Sequence, residues 1–201
     1  MDFSKLKGDA RKSLEGHYKD AIIISVLYGA LVYVFNGVGM TTENTTTQMI
    51  CSIIELILAC LFTLGYTNYF LKLSRNEKVG WNELFSKTNL AFDVFIISIV
   101  VAVFVTLWSL LLIIPGIIAG LSYSQVFYLK LDNPDMDVME LINESKRMMK
   151  GHKMDLFLLS LSFLGWIILG VFTLFILYFW LVPYINTTMC NFYNEIKDEK
   201  K

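Results

Sequence analysis

Three long stretches of this chain carry no formal charge, and they restrict its fold more than any other feature. No Asp, Glu, Lys or Arg occurs from Ala21 to Thr42, from Val94 to Leu129, or from Leu156 to Asn194, runs of 22, 36 and 39 residues. A helix crossing the hydrocarbon core of a bilayer needs about 20 apolar residues. Over the whole chain 55% of residues are apolar and 17% are charged, whereas a soluble domain has about a quarter of its residues charged. A soluble enzyme, a disordered chain and a nucleic-acid-binding domain are thereby excluded. The expected fold class is all-α: a polytopic helical membrane protein, one membrane domain over residues 1–201.

Span length divides the gaps. The first holds span 21–39, and a second apolar run gives span 49–71. A 36-residue helix would be about 54 Å long, while a core of about 30 Å crossed at a steep tilt accepts only about 26 residues. The later gaps are therefore read as two helical hairpins, with spans 94–112 and 114–131, then 156–173 and 175–193. Pro115-Gly116 marks the first turn. The second turn is placed near Val171–Phe175, with one long helix over Leu156–Val182 as the competing reading. The first 20 residues are polar and no cleavage motif follows Ala21–Gly39, so that segment reads as a retained span.

Six spans put every basic residue on one side. The segments before span 1, after span 2, after the middle hairpin and after span 6 hold 5, 4, 5 and 3 of the 17 Lys and Arg residues. By the positive-inside rule both termini are cytoplasmic and the protein is expected in the cell membrane. Re-entrant hairpins would preserve the same sidedness. Segments 1–20 and 133–153 read as cytoplasmic amphipathic segments. In the second, Val138, Leu141, Ile142, Met148 and Met149 share a face, Asp137 and Glu140 have capping-box spacing, and Gly151 suits the C-cap. Lying in the membrane interface is the simplest account of that face. A shorter version runs through Trp81, Leu84 and Phe85.

Residues 10–25, ARKSLEGHYKDAIIIS, parallel residues 145–160, SKRMMKGHKMDLFLLS. Gly16, His17, Asp20 and Ser25 match Gly151, His152, Asp155 and Ser160. Asp93 and Ser98 repeat the last spacing in the middle hairpin, and Tyr128–Leu131 echoes Phe70–Leu73. The reading is three units, each a cytoplasmic amphipathic segment followed by a helical hairpin.

The run LLIIPGIIAGLSYSQVFYLKLDNPD (Leu111–Asp135), then ESKRMMKGHKMDLF, LSFLGW and WLVPY, resembles a family of bacterial integral membrane proteins. That family is a domain of unknown function, frequent in Gram-positive bacteria. The resemblance implies a multi-pass membrane protein. It implies no activity and carries over no catalytic residues.

The candidate sites follow from position. Glu55 is the one acidic residue inside an expected span, and such a carboxylate marks a functional hypothesis; Asn36 is its candidate partner. His17 and His152, with Lys150 and Lys153, are candidate lipid-headgroup contacts. Paired with Asp20 and Asp155, the histidines could hold a divalent metal only if the fold joined them, and no metal or cofactor is expected. Gly116 with Gly120, and Ser25 with Gly29, have the small-xxx-small spacing of close helix packing. Asn68 and Gln125 suit polar bonds between helices. The three cysteines read as small buried residues. No nucleophile or acid–base constellation stands out, so the expected function is a non-enzymatic accessory or scaffold protein. Its expected partners are membrane lipid, a second copy or another membrane protein, and no nucleic acid. The alternative is a small transporter or channel coupled through Glu55, for which Glu55→Gln would abolish an ion-dependent flux.

Overall fold

The computed structural model describes residues 1–41 and 44–199, and the side chains of all of these except 31–41 and 111. It is 82% helical, with no strand among the described residues. The helices are α1 (Phe3–Leu14), α2 (Tyr18–Thr41), α3 (Thr45–Ser74), α4 (Ala91–Leu111), α5 (Ile113–Tyr123), α6 (Val126–Asp132), α7 (Val138–Met148), α8 (Lys153–Leu161), α9 (Leu164–Phe172) and α10 (Tyr178–Asp198). Two 3-10 turns, Trp81–Phe85 and Thr88–Leu90, lead into α4.

Helix ends follow local chemistry. Asp2, Asn44 and Asp137 cap α1, α3 and α7 with side-chain oxygens that accept from backbone N–H groups of the first turn. The turn of the middle pair falls at Leu112, whose backbone is extended, three residues before the Pro115 that was expected to make it. Pro115 instead sits in the first turn of α5, where its missing N–H is harmless. The expected span 114–131 is two helices, because α5 stops at Tyr123 and α6 restarts at Val126. Likewise 156–173 is broken between α8 and α9, so Leu156–Val182 is not one helix. The last turn spans 173–177, with Leu174 and Phe175 at positive φ. It is closed by Phe175 N–H donating to the Gly170 carbonyl at 3.0 Å and Tyr178 Oη donating to the Ile167 carbonyl at 2.9 Å. A Cβ on Gly170 would lie 2.7 Å from the Tyr178 ring, so α9 and α10 pack closely there.

Helix α3 is the hub, touching α1, α2, α4, α6 and α10. It runs parallel to α10, since Asn186 Nδ2 donates to Tyr66 Oη and Asn194 Nδ2 to Ser74 Oγ, both across 120 residues. It runs antiparallel to α2, through Ser25–Tyr66 at 3.2 Å and Tyr28–Thr63 at 3.3 Å. Helix α1 packs on α10, the first 3-10 turn packs on α3, and α7 packs on α5 and α6.

Both amphipathic segments therefore spend their apolar faces on protein. In α7, Leu141, Ile142, Ser145 and Met148 are buried, and in α1, Leu6, Ala10, Ser13 and Leu14. The apolar face of α7, expected to meet the membrane interface, is covered by α5 and α6 instead: an apolar stripe has the same spacing whether lipid or a helix covers it.

Burial is uneven along the molecule. Tyr69, Phe70, Leu71, Leu141, Ile142, Phe192, Tyr193 and Ile196 are within 2% of full burial. Most large apolar residues of Met49–Ile57, Ile99–Ile118 and Leu164–Trp180 are exposed. Three helical stretches are long and apolar enough to cross a membrane: Thr45–Ser74, Trp81–Leu110 and Lys153–Phe172. Only 17%, 11% and 22% of their most apolar windows are buried. The molecule is thus a packed base with an apolar crown.

Candidate functional site

The base is organised by charge. Asp132, at the end of α6, accepts from both terminal nitrogens of Arg75 at 2.9 and 2.8 Å. Tyr193 Oη and Lys197 Nζ of α10 also donate to it. Arg75 Nε donates to Asn194 Oδ1 at 3.1 Å. The inner ends of α3, α6 and α10 are thereby tied at one carboxylate. Burial alone would raise the Asp132 pKa, but hydrogen bonds from Arg75, Lys197 and Tyr193 outweigh it and hold the group well below the usual carboxylate range. The Arg75 guanidinium is pushed up in return by its bonds to Asp132. Two further pairs join neighbouring elements: Lys72 with Glu83 at 2.7 Å and Lys130 with Asp93 at 2.8 Å. Asn68 donates to the same Glu83, which is the interhelical role expected of it.

A second charged feature is different in kind. Lys146, Lys150 and Lys153 converge on a pocket of about 450 Å³ whose floor is Trp108, Pro115, Ile118, Ala119 and Tyr123. Lys146 Nζ lies 5.4 Å from the Tyr123 ring centre and 5.9 Å from that of Phe104, within cation–π range. Among the described residues none of these three lysines is paired with a carboxylate. The nearby acids are engaged elsewhere: Glu144 holds Arg147 through two bonds of 2.8 Å, and Asp155 faces His152. A larger cleft of about 710 Å³ between α1 and α10 is lined by two cations, Lys5 and Lys12, against four carboxylates, Asp9, Glu195, Asp198 and Glu199, so it carries a net negative charge.

The other expected site residues scatter. His152 sits between Asp155 at 3.4 Å and Glu199 at 3.3 Å, whereas His17 is exposed. Among the described residues no three metal-ligating side chains cluster, so the histidines and their aspartates are not brought to one point. Glu55 is half-buried and engaged; the side chain of Asn36 lies outside the described residues. Of the small-residue positions, Gly116 is a close-packing site, since a Cβ there would lie 2.1 Å from Ser109 Oγ of α4. A Cβ on Gly120 or Gly29 would meet nothing within 4 Å, so neither is a close-packing site within the chain. Ser25 bonds Tyr66 instead of admitting a backbone. Among the described glycines the closest approach is one the spacing did not flag: a Cβ on Gly65 would lie 2.0 Å from the Leu84 carbonyl oxygen. The three cysteines are free and buried.

The segments paired at an offset of 135 residues share local geometry. Gly16 and Gly151 both have positive φ, at 81° and 97°. His17 N–H donates to the Leu14 carbonyl and His152 N–H to the Met149 carbonyl. Ser25 and Ser160 each donate back to the carbonyl four residues earlier. Backwards from the matched stretch, the capping residues Asp2 and Asp137 hold the same offset, as do buried Leu6 and Leu141.

These features define a class: an all-helical protein with a packed, ion-paired base and helices of membrane-crossing length and composition. Residues 110–200 match the family model described as Protein of unknown function (DUF975). That match runs from the end of α4 through α10 and includes every residue lining the lysine pocket except Trp108. No curated protein and no solved structure matches the chain.

Proposed function

We propose that this is a multi-pass protein of the cytoplasmic membrane, with both termini cytoplasmic, acting without catalysis as a scaffold through helix packing and contacts with lipid or protein. The observation that carries the reading is the exposed apolar crown above a fully packed base. Large apolar side chains such as Leu110, Ile113, Phe172 and Leu174 are 77–81% exposed, and such a surface is stable only against lipid or a partner.

Cations support a depth for each hairpin. Helices α2 and α3, at 24 and 30 residues, are about 36 and 45 Å long and suffice to cross a core of about 30 Å. The middle hairpin is different. Phe104 and Tyr123, which carry Lys146, lie 7 and 10 residues from its tip, or about 10 and 15 Å. In the third, Lys7 sits 4.4 Å over Phe163 and Arg11 5.4 Å over Tyr184. The tip beyond them is again 9 and 6 residues away, about 14 and 9 Å. Snorkelling adds a few ångströms, still short of a full crossing. The six apolar passes are thus one crossing hairpin and two that enter from the cytoplasmic side to about mid-depth.

The contact order supports three units arranged in a ring. Each amphipathic segment packs on the returning helix of the unit before it: the first 3-10 turn on α3, α7 on α5–α6 and, closing the ring, α1 on α10.

Labelling of single cysteines in intact cells tests this, in a chain whose three native cysteines are replaced by serine. Thr46→Cys is expected to react with an impermeant maleimide from outside. Ser4→Cys, Asn143→Cys and Glu199→Cys are expected to react only after permeabilisation, and Leu112→Cys and Leu174→Cys to resist in both conditions. External labelling at 112 and 174 would establish full crossings, and external labelling at 143 would overturn the sidedness.

A further inference from the structure

We propose that the pocket of Lys146, Lys150 and Lys153 is a binding site for the phosphate of an anionic phospholipid, its acyl chain lying over Trp108, Pro115 and Ile118. The proposal rests on the membrane reading above and names the ligand of one site within it. Three observations converge. The first is charge: Lys72, Lys130 and Lys197 are spent on Glu83, Asp93 and Asp132, while these three ammonium groups face one pocket with no carboxylate partner among the described residues. The neighbouring acids Glu144 and Asp155 are turned to Arg147 and His152.

The second is the floor. A free phosphate would satisfy the lysines and leave Trp108, Pro115, Ile118 and Ala119 wet. An amphiphile covers both halves. The third is continuity. Beyond the pocket lie Leu107, Leu110, Ile113 and Ile117, each 48–78% exposed, so a chain leaving the pocket stays on apolar surface. Lys146 is also pre-positioned by Tyr123 and Phe104, which lowers the entropy lost on binding.

The site is built by α4, α5, α7 and the start of α8. Ser145 of α7 fixes the register: its Oγ donates to the Ser122 carbonyl at 2.8 Å and accepts from Gln125 N–H at 3.3 Å. The turn through Gly151 then brings Lys153 round to the same pocket as Lys146 and Lys150. The lining therefore comes from two stretches of the chain, residues 108–123 for the apolar floor and 146–153 for the lysines.

The test uses the full chain in nanodiscs of phosphatidylcholine doped with phosphatidylglycerol, with bound anionic lipid read by native mass spectrometry. Phosphatidylglycerol is expected to be retained over phosphatidylcholine. Lys150→Gln and Lys153→Gln are each expected to weaken retention about fivefold, the double change about 25-fold. Lys150→Arg is expected to retain it, and Lys12→Gln, which removes equal charge beside Asp9, to leave it unchanged. Equal losses at Lys12 and Lys150 would reduce the effect to general surface attraction and overturn the site. Displacement of the lipid by millimolar inorganic phosphate would overturn the lipid in favour of a free anion. Loss of lipid selectivity in a protein whose cysteine labelling is as expected overturns this site alone. Failure of the labelling overturns the membrane reading instead.

Discussion

Asp132 shows how much one residue can hold in this molecule. Its carboxylate meets a guanidinium from α3 and an ammonium and a phenol from α10, and its side chain is 12% exposed. Removing one partner of a buried pair strands the other charge and costs about 3–5 kcal/mol. Asp132→Asn keeps the shape and strands two cations, so it should lower thermal stability in detergent by about 3 kcal/mol, with helix content unchanged at low temperature. The pH dependence has a definite sign. The folded carboxyl is held below its ordinary value, so its contribution is complete above about pH 4, the range of a free Asp. It is lost as pH falls below that toward the folded value. The wild-type melting temperature should therefore drop on acidification below about pH 4, and Asp132→Asn should flatten that drop. An unaltered acid limb in the variant would remove Asp132 from the account. Nothing local announces this role. Asp132 borders the second charge gap, but its partners lie 57 and 65 residues away, and a single chain offers 17 cations to choose from. Glycine spacing is silent for a related reason: Gly116 and Gly120 look alike in sequence, yet only Gly116 lies against α4.

The helices were more legible than their breaks. Charge gaps, the Asp137 cap and the left-handed Gly151 all mark ends that the chain adopts. The break at Ser124-Gln125 carries no Gly or Pro, because it is imposed from outside. Where α5 gives way to α6, the Ser122 carbonyl and the Gln125 N–H are both met by the one hydroxyl of Ser145, which is fully buried. The apolar face of α7 was read correctly and its cover was not, since nothing in the spacing marks the Ser145 hydroxyl as the group that docks the helix. Ser145→Ala should leave two backbone groups unpaired in a dry site and cost roughly 1–3 kcal/mol. Ser160→Ala should be near neutral, because that hydroxyl only bonds back into its own helix. Chemical denaturation of both variants checks the contrast, and equal effects would mean that the α5–α6 break does not depend on α7. Because Lys146 rides on the same helix and Lys150 follows in the turn just past its end, Ser145→Ala should also loosen the lysine pocket.

At the scale of the whole molecule, the proposed ring makes a claim that no single contact does. If each amphipathic segment packs on the returning helix of the preceding unit, then the contact of α1 with α10 is equivalent to that of α7 with α6, and the ring has three equivalent junctions. The ends are well placed for this: Asn191 Nδ2 of α10 donates to the Leu6 carbonyl of α1 at 3.2 Å, so a short Gly/Ser linker can join them. The connector between α6 and α7 is the corresponding point elsewhere in the ring, a short polar turn around Pro134-Asp135. A permuted chain opened there begins with capped α7 and ends with α6, as the natural chain begins with capped α1 and ends with α10. Every unit still starts and finishes at the charged base, so the sidedness set by the lysines is preserved. The permutant should insert, and its melting temperature should stay within several degrees of the natural chain. A chain opened inside a unit, between α4 and α5 at Leu112, would present new ends within the apolar crown and should fail to assemble. If both permutants fail alike while the linked, unopened chain is expressed normally, the order of synthesis matters and the ring is only a pattern of contacts. If the first alone folds, the three units are interchangeable starting points, and the base with its Asp132 node is the structure on which they converge.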